Sequence, residues 1–444
     1  MTADTIFAPA TAPGRSAIAV VRISGPDAGD TLVALTGQRL QDRRASVVRI
    51  RDAAGSTIDH GMALWFSKPA SATGEDVAEL HVHGGRAVVA AVLGELGRRP
   101  GLRPAEPGEF IRRAFENGKV DLTEVEGLAD LVAADTDAQR RQAIRQTEGA
   151  LGRLYDGWRE RLVGTLAHLE ATIDFADEDL SAGLDERVAA TVDGLAAEVA
   201  EHLADGHRGE RLRDGFRVAI LGPPKAGKSS LLNVLARRDV AIVSESAGTT
   251  RDVIEVHLDL AGYPVVVADT AGLRAAAGAV EEEGVRRART WGEKADLRLL
   301  VFDGGVWPAV DAGTKDLIEP DRSLVVINKS DLGLTGTSPE VAGLAAIPVS
   351  AKTGDGLGRL VTALTEVAAR GLDHSTNALA LTRARHRTAL ERCLESLTRA
   401  GSTGSAELVA EDLRLAAREL GRITGRIDAE DLLDVIFRDF CVGK

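Results

Sequence analysis

Residues 222–229 read Gly222-Pro223-Pro224-Lys225-Ala226-Gly227-Lys228-Ser229. This stretch fits the phosphate-loop pattern G-x-x-x-x-G-K-[ST] and follows the apolar run 218–221, which predicts a buried parallel strand leading into the loop. In such a loop the glycines let consecutive backbone N–H groups point at phosphates. Lys228 supplies a compact positive charge, and the Ser229 hydroxyl completes the shell of a Mg²⁺ ion. We therefore expect a Ras-like P-loop domain here.

Four further motifs follow in the order typical of guanine-nucleotide-binding domains. Two of them are predicted switch segments, Gly248-Thr249-Thr250-Arg251-Asp252 and Asp269-Thr270-Ala271-Gly272. The other two are Asn328-Lys329-Ser330-Asp331, which ends an apolar strand, and Ser350-Ala351-Lys352, which closes over the base. The Asp331 carboxylate can accept from both N1–H and the 2-amino group of guanine, a pairing that adenine cannot make. The pattern predicts a GTPase and not an ATPase.

The residues predicted to contact GTP come from all five segments. They are Lys225, Ala226, Gly227, Lys228, Ser229, Ser230, Ser244, Glu245, Ser246, Ala247, Gly248, Thr249, Thr250, Asp269, Thr270, Ala271, Gly272, Asn328, Lys329, Asp331, Ser350, Ala351 and Lys352. Ser229 and Thr250 are the predicted Mg²⁺ ligands, and Asp269 is expected to hold the ion through water.

The motifs alone do not identify the group that orients the water molecule for attack on GTP. Ras-like proteins carry a glutamine after Asp-Thr-Ala-Gly, but this chain has Leu273. The next polar candidates form the run Glu281-Glu282-Glu283. Taken without any relatives, that run is either a charged helix start favoured by the helix dipole or the source of the missing group.

Composition narrows the class of protein. The chain has 444 residues, 44% of them hydrophobic, which suggests two to four domains with well-buried cores. The sequence has no apolar run of membrane-spanning length, no signal-like N-terminus, and only two cysteines, 47 positions apart. We therefore expect a cytoplasmic, soluble protein without membrane association.

Charge is unevenly distributed. The net charge of −13 argues against a broad basic face for nucleic acid, but residues 1–120 carry 15 Lys and Arg against 13 Asp and Glu. Any contact with RNA is therefore expected to be local and to lie near the N-terminal segment.

The segments on either side of the GTPase motifs differ in pattern. Residues 1–120 mix short apolar runs with Gly/Pro turns and one helical stretch, which indicates an α/β domain. From residue 121 onward apolar side chains recur at three- and four-residue spacing, and this helical pattern returns after the GTPase. We expect the helices of the two flanks to pack together.

The expected fold is thus multidomain, α/β plus α. It consists of an N-terminal α/β domain at 1–120, a discontinuous helical domain at 121–214 and 374–444, and a Ras-like GTPase domain at 215–373 inserted between the helical parts.

The chain also resembles the MnmE (TrmE) family of bacterial and organellar tRNA-modification GTPases over its whole length. The motifs that carry the resemblance are Pro13-Gly14-Arg15, Val21-Arg22-Ile23-Ser24-Gly25, Thr73-Gly74-Glu75-Asp76, His83-Gly84-Gly85, Pro107-Gly108-Glu109-Phe110, Lys119-Val120-Asp121-Leu122, Ile423-Thr424-Gly425 and the ending Cys441-Val442-Gly443-Lys444. A terminal Cys-x-Gly-Lys joined to an internal GTPase is highly specific for this family.

The resemblance implies a homodimer whose N-terminal domain binds 5-formyl- or 5,10-methylene-tetrahydrofolate. It further implies a partner subunit, MnmG (GidA), that uses FAD and NADH, and a joint reaction that adds an aminomethyl or carboxymethylaminomethyl group to C5 of the wobble uridine of tRNA. Arg22, Glu79, Lys119 and Lys444 are the implied folate-binding residues. Their charges suit the carboxylates, carbonyls and donor edge of a folate.

Two catalytic residues are implied in the same way. The family's essential glutamate lies twelve residues beyond the Asp of Asp-Thr-Ala-Gly, which corresponds to Glu281. Cys441 is the implied catalytic acid or thiol, against the alternative that it is a small packed residue.

One position departs from the family pattern. Relatives bind K⁺ beside the phosphates through an asparagine that this chain replaces with Lys225, together with backbone groups near Ser244, Ser246 and Thr249. Because an ammonium cannot coordinate a cation, we hypothesise that the Lys225 amine acts as a tethered cation and makes hydrolysis largely independent of K⁺. The alternative is that Lys225 points into solvent and K⁺ still binds.

Two other functions remain open from the sequence. A GTP-switched scaffold, for instance in ribosome assembly, needs the GTPase motifs but not the folate positions or the Cys-x-Gly-Lys ending. A degenerate member that binds nucleotide and folate without modifying tRNA is compatible with Lys225 and with Ala72, where many relatives have Phe.

Overall fold

The structure is a computed structural model that describes residues 4–174, 184–205, 207–238, 240–242, 254–269, 292–333, 339–372, 380–402, 405–427, 436 and 443. The chain divides into two compact units. The first comprises residues 1–129, 145–188 and 402–444, and the second comprises 130–144 and 189–401.

The first unit is built around a six-stranded sheet. Its strands are β1 (Thr5–Pro9), β2 (Ser16–Ser24), β3 (Ser46–Arg51), β4 (Thr57–Phe66), β5 (Val77–Gly84) and β6 (Leu102–Pro104), in the spatial order β3-β4-β5-β2-β1-β6. All neighbours are antiparallel except β1 and β6, which run parallel. Alternate residues of the strands point into a core on one face, because side chains alternate along a strand.

Helices cover this sheet unequally. α1 (Ala28–Thr36) and α2 (Arg86–Gly97) close the core face with Leu32, Leu35 and Leu96. On the other face, Phe110 of α3 (Glu109–Glu116) packs with Ile6 and Ala8 of β1. The predicted α/β N-terminal segment is therefore confirmed.

The remaining helices follow the predicted apolar spacing. They are α4 (Leu122–Ala133), α5 (Asp137–Thr147), α6 (Ala150–Asp174), α7 (Leu184–Leu203), α8 (Arg208–Asp214), α9 (Lys228–Ala236), α10 (Ala312–Lys315), α11 (Leu357–Leu372), α12 (Ala384–Ser402) and α13 (Ala406–Thr424). In the first unit α6 packs along α13, so helices from the two flanks of the GTPase do meet.

The second unit contains a seven-stranded sheet. Its strands are β7 (Phe216–Leu221), β8 (Ile254–Leu260), β9 (Tyr263–Asp269), β10 (Leu297–Asp303), β11 (Ser323–Asn328), β12 (Glu340–Val341) and β13 (Leu344–Pro348), in the order β12-β13-β11-β10-β7-β9-β8. The five central strands are parallel, and β8 and β12 run antiparallel at the edges. Near-continuous apolar strands such as 265–268 suit a parallel sheet buried on both faces.

Residues before and after the GTPase segment are tied together within this unit. Arg387 of α12 donates to Asp205 at 2.7 Å and to Glu210 of α8 at 3.2 Å. A Cβ at Gly209 would lie 2.2 Å from the carbonyl oxygen of Leu381, so only glycine allows this approach. Helices occur in both compact units. The domain limits 120/121, 214/215 and 373/374 stay predictions.

In the described part of the chain, no helix is both long enough and apolar enough to cross a lipid bilayer.

A half-buried histidine, His202, predicts how this unit responds to acid. Burial lowers the pKa of His202 to about 4, an effect that nearby Asp205 opposes and that His386 and Arg387 reinforce. Because the folded state then binds fewer protons than the unfolded state, stability is present above pH 6.5 and is lost as the pH falls toward 4. The loss amounts to roughly 3 kcal/mol at most.

We expect His202→Gln to flatten this decline, since glutamine does not titrate. Thermal unfolding of the full chain between pH 7 and pH 4 measures this loss of stability. The matched control is His168→Gln, which replaces an exposed histidine of α6. An equally steep decline in His202→Gln would show that other groups cause the acid sensitivity.

Candidate functional site

The phosphate loop adopts the backbone geometry that its glycines permit. Gly222 and Gly227 have φ values of 155° and 89°, and a Cβ at Gly222 would lie 2.2 Å from the carbonyl oxygen of Val301. The loop leads from β7 into α9, whose first residue is Lys228. The Lys228 ammonium donates to the carbonyl oxygens of Gly222 and Pro223 at 2.9 and 2.8 Å. Its charge is therefore held across the mouth of the loop, where phosphates bind.

Two predicted magnesium-associated residues are brought together. The Ser229 hydroxyl donates directly to Oδ2 of Asp269, which lies at the end of β9 and is 1% exposed. A hydroxyl and a carboxylate in contact form an oxygen donor set of the kind that Mg²⁺ prefers. The residues present therefore fit a Mg²⁺ ion, while the third predicted residue, Thr250, lies outside the described residues.

The guanine-recognition motifs meet around a cavity of about 340 Å³. It is lined by Gly227, Ser230, Asn328, Lys329, Asp331, Leu332, Ala351 and Lys352. Ser350 donates to Oδ1 of Asp331 at 2.7 Å, and the Ala351 N–H donates to Oδ1 of Asn328 at 3.0 Å. The Asp331 carboxylate, which is predicted to read the base, is thus oriented by the segment that is predicted to close over it.

Sequence reasoning missed one residue that supports the lining of this pocket, Asp303. It ends β10 directly beside Asn328 of β11, and its Oδ2 accepts from the Lys329 ammonium at 2.7 Å. Its Oδ1 accepts from the Gly305 N–H at 2.9 Å. Burial raises the pKa of Asp303, but the hydrogen bonds from Lys329 and Gly305 outweigh it and hold the pKa below its usual range. The sequence carried a signal for Asp303, because this residue ends an apolar strand, as Asp269 and Asn328 also do.

Lys225 is exposed at the tip of the phosphate loop and has a φ of 66°. Asparagine and glycine tolerate this left-handed region, whereas a lysine there is conformationally costly. The chain therefore carries a long basic side chain where the backbone favours asparagine.

The remaining nucleotide-site predictions cannot be placed. Ser244, Glu245, Ser246, Ala247, Gly248, Thr249, Thr250, Thr270, Ala271, Gly272 and Glu281 lie outside the described residues.

A second candidate site lies on the N-terminal sheet. Arg22 of β2 is directly opposite Glu79 of β5, and its Nε and Nη2 both donate to Oε1 of Glu79, at 3.1 and 3.0 Å. The Arg22 guanidinium lies 5.8 Å from the centre of the Phe110 ring. Arg22 and Glu79 remain 25% and 18% exposed, so both charges can be reached by a ligand.

The other implied folate residues are placed only in part. The Lys119 ammonium donates to the carbonyl oxygen of Pro69 at 3.0 Å, at the loop before Thr73-Gly74-Glu75-Asp76. Gly443 is buried against β1, with a φ of 104°, and a Cβ there would lie 2.1 Å from the Pro9 carbonyl oxygen. Cys441 and Lys444 lie outside the described residues.

A network centred on Arg113 supports this region and was not anticipated from sequence. Arg113 is largely buried and donates to Asp4 at 2.9 Å, to Glu75 at 3.1 Å and to Glu109 at 2.9 Å. Burial raises the pKa of Glu109, but hydrogen bonds from Arg103 and Arg113 lower it below its usual range. The network fixes Glu75, which also accepts from Ser24 at the end of β2.

We predict that Asp303 positions Lys329 for nucleotide binding. Asp303→Asn removes the charge that holds the Lys329 ammonium while leaving an oxygen that can accept from Gly305. A partly exposed charge-assisted hydrogen bond contributes about 1 kcal/mol, so the dissociation constant for GDP should rise about fivefold. Binding of a fluorescent GDP analogue measures this change.

The control is Asp311→Asn, which removes a charge from the N-cap of α10 in the same unit. In a Lys329→Met background Asp303→Asn should have no further effect, because its partner is absent. An undiminished effect in that background would contradict the positioning role.

Comparisons with known proteins extend over the whole chain. A family model described as the MnmE helical domain matches residues 122–441, and one described as the GTP-binding protein TrmE N-terminus matches residues 5–119. The chain is 56% identical over 443 residues to the tRNA modification GTPase MnmE of Paramagnetospirillum magneticum, covering 99% of this chain and all of the relative.

Other relatives and solved structures also match. The MnmE of Rhodospirillum rubrum is 55% identical over 457 residues, with both chains covered completely. The G domain of the FeoB iron transporter of T. maritima aligns at 23% identity and a TM-score of 0.26, covering 34% of this chain and 98% of the other. Era of Aquifex aeolicus aligns at 27% identity and a TM-score of 0.27, covering 40% and 66%.

More than half of the residues are identical to those of full-length relatives. The N-terminal segment and the helical segments match the family's own models, and the predicted guanine-nucleotide motifs meet around one cavity. The chain belongs to the MnmE family of tRNA-modification GTPases.

Proposed function

We propose that this GTPase couples GTP hydrolysis to modification of C5 of the tRNA wobble uridine. It would act with an FAD- and NADH-dependent MnmG-type partner and draw a one-carbon unit from a 5-formyl- or 5,10-methylene-tetrahydrofolate. The observation that carries the proposal is the presence, in one chain, of an assembled guanine pocket and the Arg22–Glu79 pair on the N-terminal sheet.

The nucleotide site supports the hydrolytic half of the proposal. Lys228 would neutralise the outer phosphates, and Ser229 with Asp269 would hold a Mg²⁺ ion that offsets negative charge on the phosphates. Asp331 would select guanine, since Ser350 fixes its orientation. Glu281 is proposed to orient the attacking water.

The N-terminal sheet supports the folate half. Glu79 can pair with the donor edge of a pterin, and Arg22 can bind a carboxylate or carbonyl group with its planar fork. Gly443 packs on β1 one residue from Ala8, which is directly opposite Arg22. This packing supports a role for the terminal Cys441 and Lys444 near the same site.

The assembly is proposed from the family. We propose a homodimer in the cytoplasm that binds tRNA and an MnmG-type subunit. None of these associations needs a membrane.

Deletion of the gene should remove 5-aminomethyl-type uridines from cellular tRNA, and the wild-type gene should restore them. Lys228→Ala should fail to restore them, because loss of the phosphate-binding charge reduces turnover by roughly 100-fold or more. Mass spectrometry of tRNA nucleosides is the measurement. Glu79→Gln, which leaves the GTPase unit intact, separates the folate requirement from hydrolysis.

Unchanged uridines after deletion would instead favour a GTP-switched scaffold. Restoration of the uridines by a Cys441→Ala variant would remove that residue from the proposed chemistry. Unchanged uridines after deletion, together with binding of GTP and folate by the wild-type protein, would indicate a degenerate member.

Lys225 predicts an unusual response to monovalent cations. If its ammonium serves as a tethered cation, GTP turnover should differ by less than about twofold between KCl and NaCl. Lys225→Asn should gain a preference for K⁺ of about tenfold, because the amide oxygen can coordinate the ion that the ammonium excludes. Steady-state phosphate release in the two salts measures both values.

The matched control is Lys225→Met, which removes the charge without supplying a ligand and should be slow in both salts. A strong preference for K⁺ in the wild-type protein would sink the tethered-cation proposal.

A further inference from the structure

The segment 39–51 is the most basic stretch of the N-terminal sheet. Within thirteen residues it carries five arginines against a single aspartate, Asp42, although the chain as a whole has a net charge of −13. The arginines are Arg39, Arg43, Arg44, Arg49 and Arg51, and all five are exposed. We call this group the basic edge.

Its position follows from the alternation of strand β3. Val48 and Ile50 point into the core, so Arg49 and Arg51 point to the opposite face, about 6.8 Å apart along the strand. β3 is the outermost strand next to β4, and the loop with the other three arginines leads directly into it. The five cations therefore line one border of the sheet.

These cations are weakly engaged in the described part of the chain. Arg43 lies 3.7 Å from Asp42 in an exposed pair, while Arg44 donates to Oε1 of Gln41 and Arg49 donates to Nε2 of His60, each at 2.9 Å. None of Arg39, Arg44, Arg49 and Arg51 forms an ion pair with a described residue. By contrast, the buried Arg113 of the same unit meets three carboxylates.

We propose that the basic edge binds the phosphate backbone of the tRNA substrate, an inference that rests on the proposed function. Guanidinium groups bind phosphate bidentately and keep their charge at all relevant pH values, so a row of arginines suits a polyanion. A protein partner would need an apolar interface core instead. Val47, which is 82% exposed, is the one large apolar side chain among the outward positions of β3. Contacts of this kind position RNA without reading its sequence.

The test is binding of an unmodified tRNA transcript to the full-length chain at salt concentrations from about 50 to 200 mM. Arg49→Gln with Arg51→Gln should weaken binding about tenfold at the low-salt end. It should also reduce the slope of log affinity against log salt by about 1.4 to 1.8, because two phosphate contacts are lost. GTP hydrolysis without tRNA should be unchanged.

The matched control is Arg359→Gln with Arg392→Gln, which removes the same charge from exposed positions on α11 and α12 that form no ion pair with the described residues. It should bind tRNA like the wild type. Native mass spectrometry of both double variants checks that subunit association is unaltered.

Equal affinity and slope in the β3 variant and the wild type would overturn the proposal, as would an equal loss in the control. A wild-type chain that does not bind the transcript would also overturn it. The modification role is decided separately by the tRNA nucleosides of deleted and restored cells, so the two failures are distinguishable.

Discussion

The buried amide of Asn328 holds together the loops that form the nucleotide site. Its Nδ2 donates to the carbonyl oxygen of Ala226 at 2.8 Å, and its Oδ1 accepts from the Ala351 N–H. One side chain, 1% exposed, therefore joins the phosphate loop, the predicted base-reading motif 328–331 and the predicted closing segment 350–352. A Cβ at Gly227 would lie 2.2 Å from that Nδ2, so the approach also depends on glycine. Losing one partner of such a buried bond costs about 1–3 kcal/mol, which makes the three loops one unit.

Ionic contacts have a similar role around the inserted GTPase segment. Asp130 at the end of α4 accepts from Arg213 of α8 at 3.1 Å and from Arg383 at 2.6 Å. Arg387 adds bonds to Asp205 and Glu210. Breaking one partner of a largely buried charged pair is more costly than the net worth of the pair. These contacts explain why residues 130–144 and 380–401 belong to the same compact unit as the GTPase.

Local patterns were sufficient to predict the apolar strands that lead into the nucleotide motifs, the helical pattern after residue 121 and the order of those motifs. Each depends on residues that are close in sequence, such as the apolar run before Gly222. The Arg113 network and the role of Asp303 were missed, because their partners lie on different elements. Arg113 and Asp4 are 109 positions apart, and Arg383 and Asp130 are 253 apart. Periodicity identifies a helix but does not say which distant carboxylate will meet its arginine, so the sharing of helices between two units was not predictable.

The hairpin β8–β9 lies between the two predicted switch segments and contacts helix α5. It begins just after the predicted switch segment 248–252 and ends at Asp269, which opens the second one. At its turn the Gly262 carbonyl oxygen accepts from the N–H of Ala138 at 3.1 Å, and Ala138 is buried in the core of the GTPase sheet. Ala138 lies in the first turn of α5. A shift of the hairpin therefore either breaks this hydrogen bond or moves the first turn of α5, because the bond joins the two segments.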